Sequence, residues 1–585
     1  MMTADKIRRT LLTLTSFATL GFAVSLPAQA IEFRSIDGSN NNLDNPTWGE
    51  AEIELIRLLE PDYSDGISAP AGMNRPNPRA ISNAIASQSE SLPNPFHASD
   101  WLWQWGQFVD HDLDLTEPPA GAEFLPIPVP NNDPIFPPGS IIPFRRNAAA
   151  PGTGTDINNP RQQVNEITAY IDGSSVYGSD LERANFLRSG EGGKLKTSAG
   201  NLLPFNTANL PNANPFGVSP DNLFIAGDVR ANEQIGLTAV HTLFVREHNQ
   251  LAEEIAADPT TPEKAADAGL SVDNYIYQTT RRIVGAQIQA ITYNEFLPLL
   301  LGEGAIDPHS GYDETVNPSI SNEFSTAAYR VGHTMLSSEL QRINNDGTSA
   351  GSISLRDSFF NTQEITDNGI DSLLLGLASQ KSQTIDALLV DDIRNFLFPA
   401  GTGGLDLAAV NIQRGRDHGL PSYNEARRGL GLGGYTSFDQ ITSDAEIAQR
   451  FRDIYGTSDG QDNIDLVDLW IGGIAEDAYN SGMVGELFNV IISDQFQRLQ
   501  DGDRFFYLAD QDLLNLVPDI GDTRLSDIIR RNTDITNIQD NAFIVAKDVP
   551  EPSALFGLFL IGIFGGTLGK LRQRQSVNIG RSQSI

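Results

Sequence analysis

Between Val229 and about Ala257 the positions 237, 240, 244, 248 and 251 recur at steps of three and four, the signature of a helix with one buried stripe. Asp228, just before this run, reads as its N-cap. A second helix is expected across WGQFVDHDLDLT at 105–116, where Trp101, Trp105 and Phe108 make an apolar stripe. Strict alternation is scarce. It is clearest at Thr168, Tyr170, Asp172 and Ser174, which in extended form present their oxygens on one side. Proline-rich loops fill about 117–160. The pattern predicts a mainly α fold with long irregular loops and one domain over 31–545.

The two ends read as addresses. Residues 1–30 combine Lys6, Arg8 and Arg9 with an apolar run from Leu11 to about Val24 and small residues at Ala28 and Ala30, a secretory signal or, failing that, a short membrane anchor. The tail carries Pro550-Glu551-Pro552, an apolar stretch and a basic cluster from Lys570 to Arg574. It resembles the PEP-CTERM sorting signal handled by an exosortase-type enzyme, although the chain runs on to Ile585; the alternative is an ordinary C-terminal membrane helix. These features predict a secreted or cell-surface protein that meets a membrane only through its tail.

Composition narrows the chemistry. With 40 Lys and Arg against 75 Asp and Glu, the net charge of −35 argues against nucleic-acid binding. Cysteine is absent, so any metal or cofactor must be held by nitrogen and oxygen.

The segment at 105–116 crowds Asp110, His111, Asp112 and Asp114 beside large apolar side chains. On a helix Gln107, Asp110 and His111 share a face, while Asp112 turns elsewhere. Buried charges need partners or a cation. Of seven histidines, His241, His248 and His418 read as structural, and His97 and His309 as surface residues. His333 stands apart because Gly332 lets something bulky approach the backbone. Arg230 and Glu233, three apart, read alone as a helical surface ion pair. The oxygen-rich set at 168–174 suits Ca²⁺ without matching an EF-hand loop.

Taken in order, RSIDGSNNNLDNPTWG at 34–49, WGQFVDHDLDLT, TAYIDGSSVYGS at 168–179, GDVRANEQIGLTAVHTLFVREHNQLA at 227–252, YRVGHTM at 329–335 and AAVNIQRGRDHGLPSYNEAR at 408–427 resemble the animal-type haem peroxidases of the peroxidase–cyclooxygenase superfamily. Ser39 stands where animal relatives have a cysteine. The resemblance implies a helical fold around a buried haem. In it, His111 is the distal histidine with Gln107 beside it, and Arg230 the distal arginine. Asp110 and Glu233 are the carboxylates that esterify the haem, His333 is the iron ligand and Asn411 its partner. Asp112, Thr168, Tyr170, Asp172 and Ser174 form the calcium site. Gln234 replaces the methionine that gives the myeloid member a third link. The implied activity is reduction of hydrogen peroxide with oxidation of a halide, thiocyanate or small aromatic donor. A fatty-acid dioxygenase on the same fold is the alternative, but Arg330 stands where those relatives carry a radical-forming tyrosine. A non-enzymatic surface protein that merely retains the fold is the third reading.

Overall fold

The computed structural model describes residues 31–398, 404–457 and 460–546; residues 1–30, read above as a secretory signal, and the tail beyond 546, read as a sorting signal, lie outside them. Among the described residues strand is confined to three two-stranded antiparallel ribbons, Ile53–Glu54 with Val164–Asn165, Ile127–Pro128 with Ile141–Ile142, and Glu339–Ile343 with Ser349–Ser354. Everything else that is regular is helical, and one buried apolar cluster runs from Leu55 to Phe543.

The helix Ile235–Ala257 lies in the middle of this core and buries residues on every side over its first three turns. Such an all-round apolar helix belongs inside a large protein. It packs on Val272–Ile291, which Ser271 caps by accepting from the Asn274 N–H. It also packs on Trp101–Leu113, whose Trp101, Trp105 and Phe108 are fully buried. Phe108 stacks on Phe244 at 5.1 Å between ring centroids, and the Trp105 indole N–H donates to Thr292 Oγ1 at 3.2 Å. An aromatic side chain buries roughly 150–250 Å². At about 25 cal/mol per Å², each ring gives about 4–6 kcal/mol of transfer free energy, which fixes the rotation of the helix.

No disulfide exists, and buried guanidinium–carboxylate pairs are among the long-range ties. Arg79 on the helix Pro78–Ile85 bonds Asp133 and Asp406, each at 2.7 Å, with all three side chains buried. Asp406 in turn caps Leu407–Asp417 by accepting from the Ala409 N–H at 3.0 Å. Asn411 is carried on that capped helix. The stretch Arg414–Asp417 is its last turn.

Candidate functional site

With its aromatic flank fixed against Phe244 and Thr292, the helix Trp101–Leu113 turns Gln107, Asp110 and His111 toward a second segment, residues 228–234. Gln107 Nε2 donates to Glu233 Oε2 at 2.9 Å, and His111 Nε2 lies 3.8 Å from the same oxygen. Asp110 Oδ2 is 4.0 Å from Arg230 Nη1. Gln234 Nε2 donates to Gln104 Oε1 at 2.6 Å and Gln107 Oε1 at 3.0 Å, locking the two segments in register.

Residues 228–234 are turns rather than the start of a helix. The helix begins at Ile235, and Gln234, whose Oε1 accepts from the Gly236 N–H at 2.6 Å, is its cap. Two expectations therefore fail: Asp228 is not the N-cap, and Arg230 and Glu233 are not a helical pair. The cause is local. Asp228 Oδ1 accepts from the Arg230 backbone N–H at 2.7 Å, a short-range bond that competes with helix.

Burial pushes the Asp110 carboxyl well up, helped by Asp114 and opposed by Arg230 and Arg330. Yet Asp110 and Glu233 keep 29% and 28% of their side-chain surface accessible. Burial also raises the Asp228 carboxyl, but Arg230 and His111 outweigh it and hold it well below the usual range.

His333 lies in the tight helical turn Ala328–Thr334, which packs against Trp101–Leu113. Its Nδ1 is 2.8 Å from Asn411 Nδ2, with donor and acceptor set by the ring tautomer. Arg330 Nη1 donates to Asn411 Oδ1 at 3.2 Å. Burial, then Arg330, lowers the His333 imidazole to about 3, so the ring is neutral. A Cβ built on Gly332 would meet only Met335 Cε, at 4.0 Å, so the backbone there borders open space. A neutral imidazole oriented through one nitrogen, beside open space, suits a haem iron ligand.

The oxygen-rich set is only partly as expected. Asp112 Oδ2 accepts from the Asp172 and Gly173 N–H groups, each at 3.0 Å, and Ser174 Oγ bonds Asp112 Oδ1 at 3.0 Å. Thr168 Oγ1 donates to Asp172 Oδ1 at 3.2 Å. The segment is a series of bends rather than an extended strand, because left-handed Gly173 starts the short helix Ser174–Tyr177. As a result the Tyr170 hydroxyl leaves the cluster and donates to the Trp48 carbonyl at 2.7 Å, which leaves only its main-chain carbonyl for the cluster. Burial and the Asp172 charge push Asp112 up to about 7. Burial also raises Asp172, against Arg281 and Arg34. Among the described residues no three His, Asp or Glu side chains form a metal cluster. Two buried carboxylates with hydroxyls and carbonyls fit a hard, oxygen-seeking cation.

The other histidines lie elsewhere. His248 bonds the Tyr177 hydroxyl and the Gly193 carbonyl, and His418 bonds Asn147 and Asn322. His241 is buried edge-on to Phe108, and His97 is exposed. His309, expected at the surface, is half-buried against Phe506 at 5.1 Å. Sequence reasoning missed the parts played by Asp228, Asp114, Gln104 and Gln234. For Asp228 the spacing Asp-Val-Arg was a usable sign of a local charge turn. A wide surface groove lined by Lys194, Arg246, Glu254 and Arg531 contains none of these site residues.

Comparison with known proteins places the chain as a whole. Peroxinectin A of Dictyostelium discoideum is 36% identical over 88% of this chain and 96% of its own length. The lactoperoxidase of Mesocricetus auratus is 36% identical over 81% of this chain and 72% of its own. The Drosophila melanogaster peroxidasin is 35% identical, with 36% of its length matched by 88% of this chain. Among solved structures, peroxidase A from Dictyostelium discoideum superposes with a TM-score of 0.80 at 34% identity, covering 88% of this chain and 100% of that one. An Oryza sativa fatty acid alpha-dioxygenase reaches 0.72 at 22% identity, a likeness of fold alone. The family model described as animal haem peroxidase matches residues 33–543, and the chain belongs to that family.

Proposed function

We propose that this chain is a haem peroxidase in which His111, Arg230 and Gln107 form the peroxide-handling side and His333 with Asn411 holds the iron. The family supports an oxidoreductase acting on hydrogen peroxide with a small electron donor. The observation that carries the assignment of roles is the meeting of Gln107, Asp110 and His111 with Arg230 and Glu233, together with the His333–Asn411 pair at 2.8 Å.

Haem, when bound, supplies the two-electron redox chemistry. The protein's part is proton handling and charge. His111 Nε2 takes a proton from peroxide and returns it to the departing oxygen as water forms. The Arg230 guanidinium, held charged mainly by Asp228 against the pull of burial, stabilises negative charge on that oxygen. Asn411 orients the His333 ring. Asp110 and Glu233, whose side chains stay partly accessible beside His111 and Arg230, are the groups that would esterify the haem. Asp112, Thr168, Asp172 and Ser174, with the Tyr170 carbonyl, are proposed to bind Ca²⁺.

Secretion through residues 1–30, processing of the tail by an exosortase-type enzyme, and a single catalytic domain over 31–545 complete the reading. Among the described residues no helix is long and apolar enough to cross a membrane. Haem-loaded protein is to be assayed for peroxide consumption against chloride, bromide, iodide, thiocyanate and a phenol. Soret absorbance with peroxide-dependent oxidation of at least one donor is expected. Absence of haem uptake, or oxygen consumption with a polyunsaturated fatty acid and no peroxide turnover, would overturn the reading.

A further inference from the structure

Asp228 keeps Arg230 charged in the reading above, and its approach to His111 has there been given no role. Its side chain is 1% exposed. Oδ1 accepts from the Arg230 backbone N–H at 2.7 Å and from Arg230 Nε at 3.0 Å, while Oδ2 accepts from Arg230 Nη2 at 2.8 Å. The same Oδ1 lies 3.3 Å from His111 Nδ1. That ring nitrogen is buried and makes no aligned hydrogen bond among the described residues, so Asp228 Oδ1 is the acceptor a small turn of the ring would meet. The root of Asp228 is pinned as well, because its own N–H donates to the Ser175 carbonyl at 3.0 Å.

A neutral imidazole has one N–H and one lone pair. A carboxylate can only accept. An ionised Asp228 beside Nδ1 therefore keeps the proton on Nδ1 and the lone pair on Nε2, the nitrogen that must act as base. His241, the other imidazole near this carboxylate, is held neutral down to about 3 by burial and does not compete for its charge. Asp114 presents a carbonyl to Arg230 Nη2 at 2.9 Å, and Asp110 stands 4.0 Å from Nη1, so Arg230 is fixed from a second direction without Asp228.

We propose that Asp228 is a positioning residue that sets the tautomer of His111, and that its grip on Arg230 is the lesser part of its effect on peroxide. The inference rests on the peroxidase reading of the site. Asp228→Asn is the discriminating change. It keeps the volume, and its amide oxygen can still accept from Arg230. With NH₂ in the Oδ1 place it donates to Nδ1 and moves the ring proton to Nε2, where it blocks the base; with oxygen there, the neutral amide is a weaker acceptor already shared with the Arg230 N–H and Nε, and the hold on the Nδ1 proton is lost in large part.

The test is a double-mutant cycle on haem-loaded protein with D228N, H111A and both together, read by stopped-flow reaction with peroxide and by the on-rate of cyanide, which enters as HCN and must give up a proton. D228N is expected to keep its Soret band, to slow peroxide by about 10²–10⁴-fold, to slow cyanide in parallel, and to cost nothing further in the H111A background. D228E, which restores an acceptor, is expected to recover part of both rates. It replaces D228N in the cycle, with D228E expected to lose little of its own defect beyond H111A, should the amide variant fail to load haem. Rates within twofold of the unmutated protein, or a full loss that persists on top of H111A, would overturn the proposal. Unmutated protein that loads haem but ignores peroxide would sink the peroxidase reading instead.

Discussion

The two buried carboxylates at Asp112 and Asp172 make a quantitative prediction about cation binding. Without a cation, Asp112 titrates at about 7 in the folded protein, against 3.8 as the ordinary value. That rise corresponds to roughly 4 kcal/mol. Because the folded pKa is the higher one, this stability is fully present below 3.8 and is lost as pH rises through about 7. A cation that needs the ionised carboxylate reverses the loss. At pH 8 Asp112 is already mostly ionised and the cation binds without displacing a proton. At pH 5.5 it must displace one, against a pKa about 1.5 units above the pH, so affinity is expected to fall about 30-fold, or roughly 2 kcal/mol. Asp172, also raised, adds to the effect. The assay is calorimetric titration of chelator-stripped, still-folded protein with Ca²⁺ at both pH values and in buffers of differing ionisation heat. About one proton released per cation at pH 5.5, and almost none at pH 8, is expected. Equal affinity and no proton release at the lower pH would refute the reasoning.

Three further outcomes are expected. His111→Ala retains haem but slows the first reaction with peroxide by about 10²–10⁴-fold, measured by stopped flow. Asp110→Val or Glu233→Gln leaves fewer covalent links after peroxide turnover, so acidified organic solvent extracts more haem than from the unmutated protein; free haem from both alike would remove the ester assignment. Gly227→Ala places a Cβ 2.1 Å from the Ser174 carbonyl oxygen and 2.5 Å from two backbone nitrogens. Since backbone cannot step aside, a loss above about 4 kcal/mol is expected, seen as a large drop in melting temperature or as insoluble protein.

The helical class and the helices at 101–113 and 235–257 were legible because their stripes bury large aromatic and aliphatic groups, and burial is what periodicity reports. His111 with Gln107 and Asp110 was legible for the same reason, since once the aromatic face is known the opposite face follows. What escaped was set by non-local partners. Asp228 reads as a cap in sequence, yet its acceptors are spent on Arg230, and His111, far back in the chain, comes within 3.3 Å of one of them. Tyr170 alternates correctly with Thr168 and Asp172, but left-handed Gly173 and the Trp48 carbonyl draw its phenol elsewhere. The glutamine bridge from Gln234 to Gln104 joins residues 130 apart and carries no local pattern at all.

The absence of cysteine has a consequence for a protein whose substrate is an oxidant. Peroxide converts thiols stepwise to sulfenic, sulfinic and sulfonic acids, and a disulfide-stapled scaffold must be assembled where thiols can pair. Here arginine staples such as Arg79 between Asp133 and Asp406 hold distant segments together and contain nothing for peroxide to attack. The scaffold can therefore mature under reducing or oxidising conditions alike, keep its shape in the presence of thiol reagents, and outlast many turnovers without titrating its own cross-links.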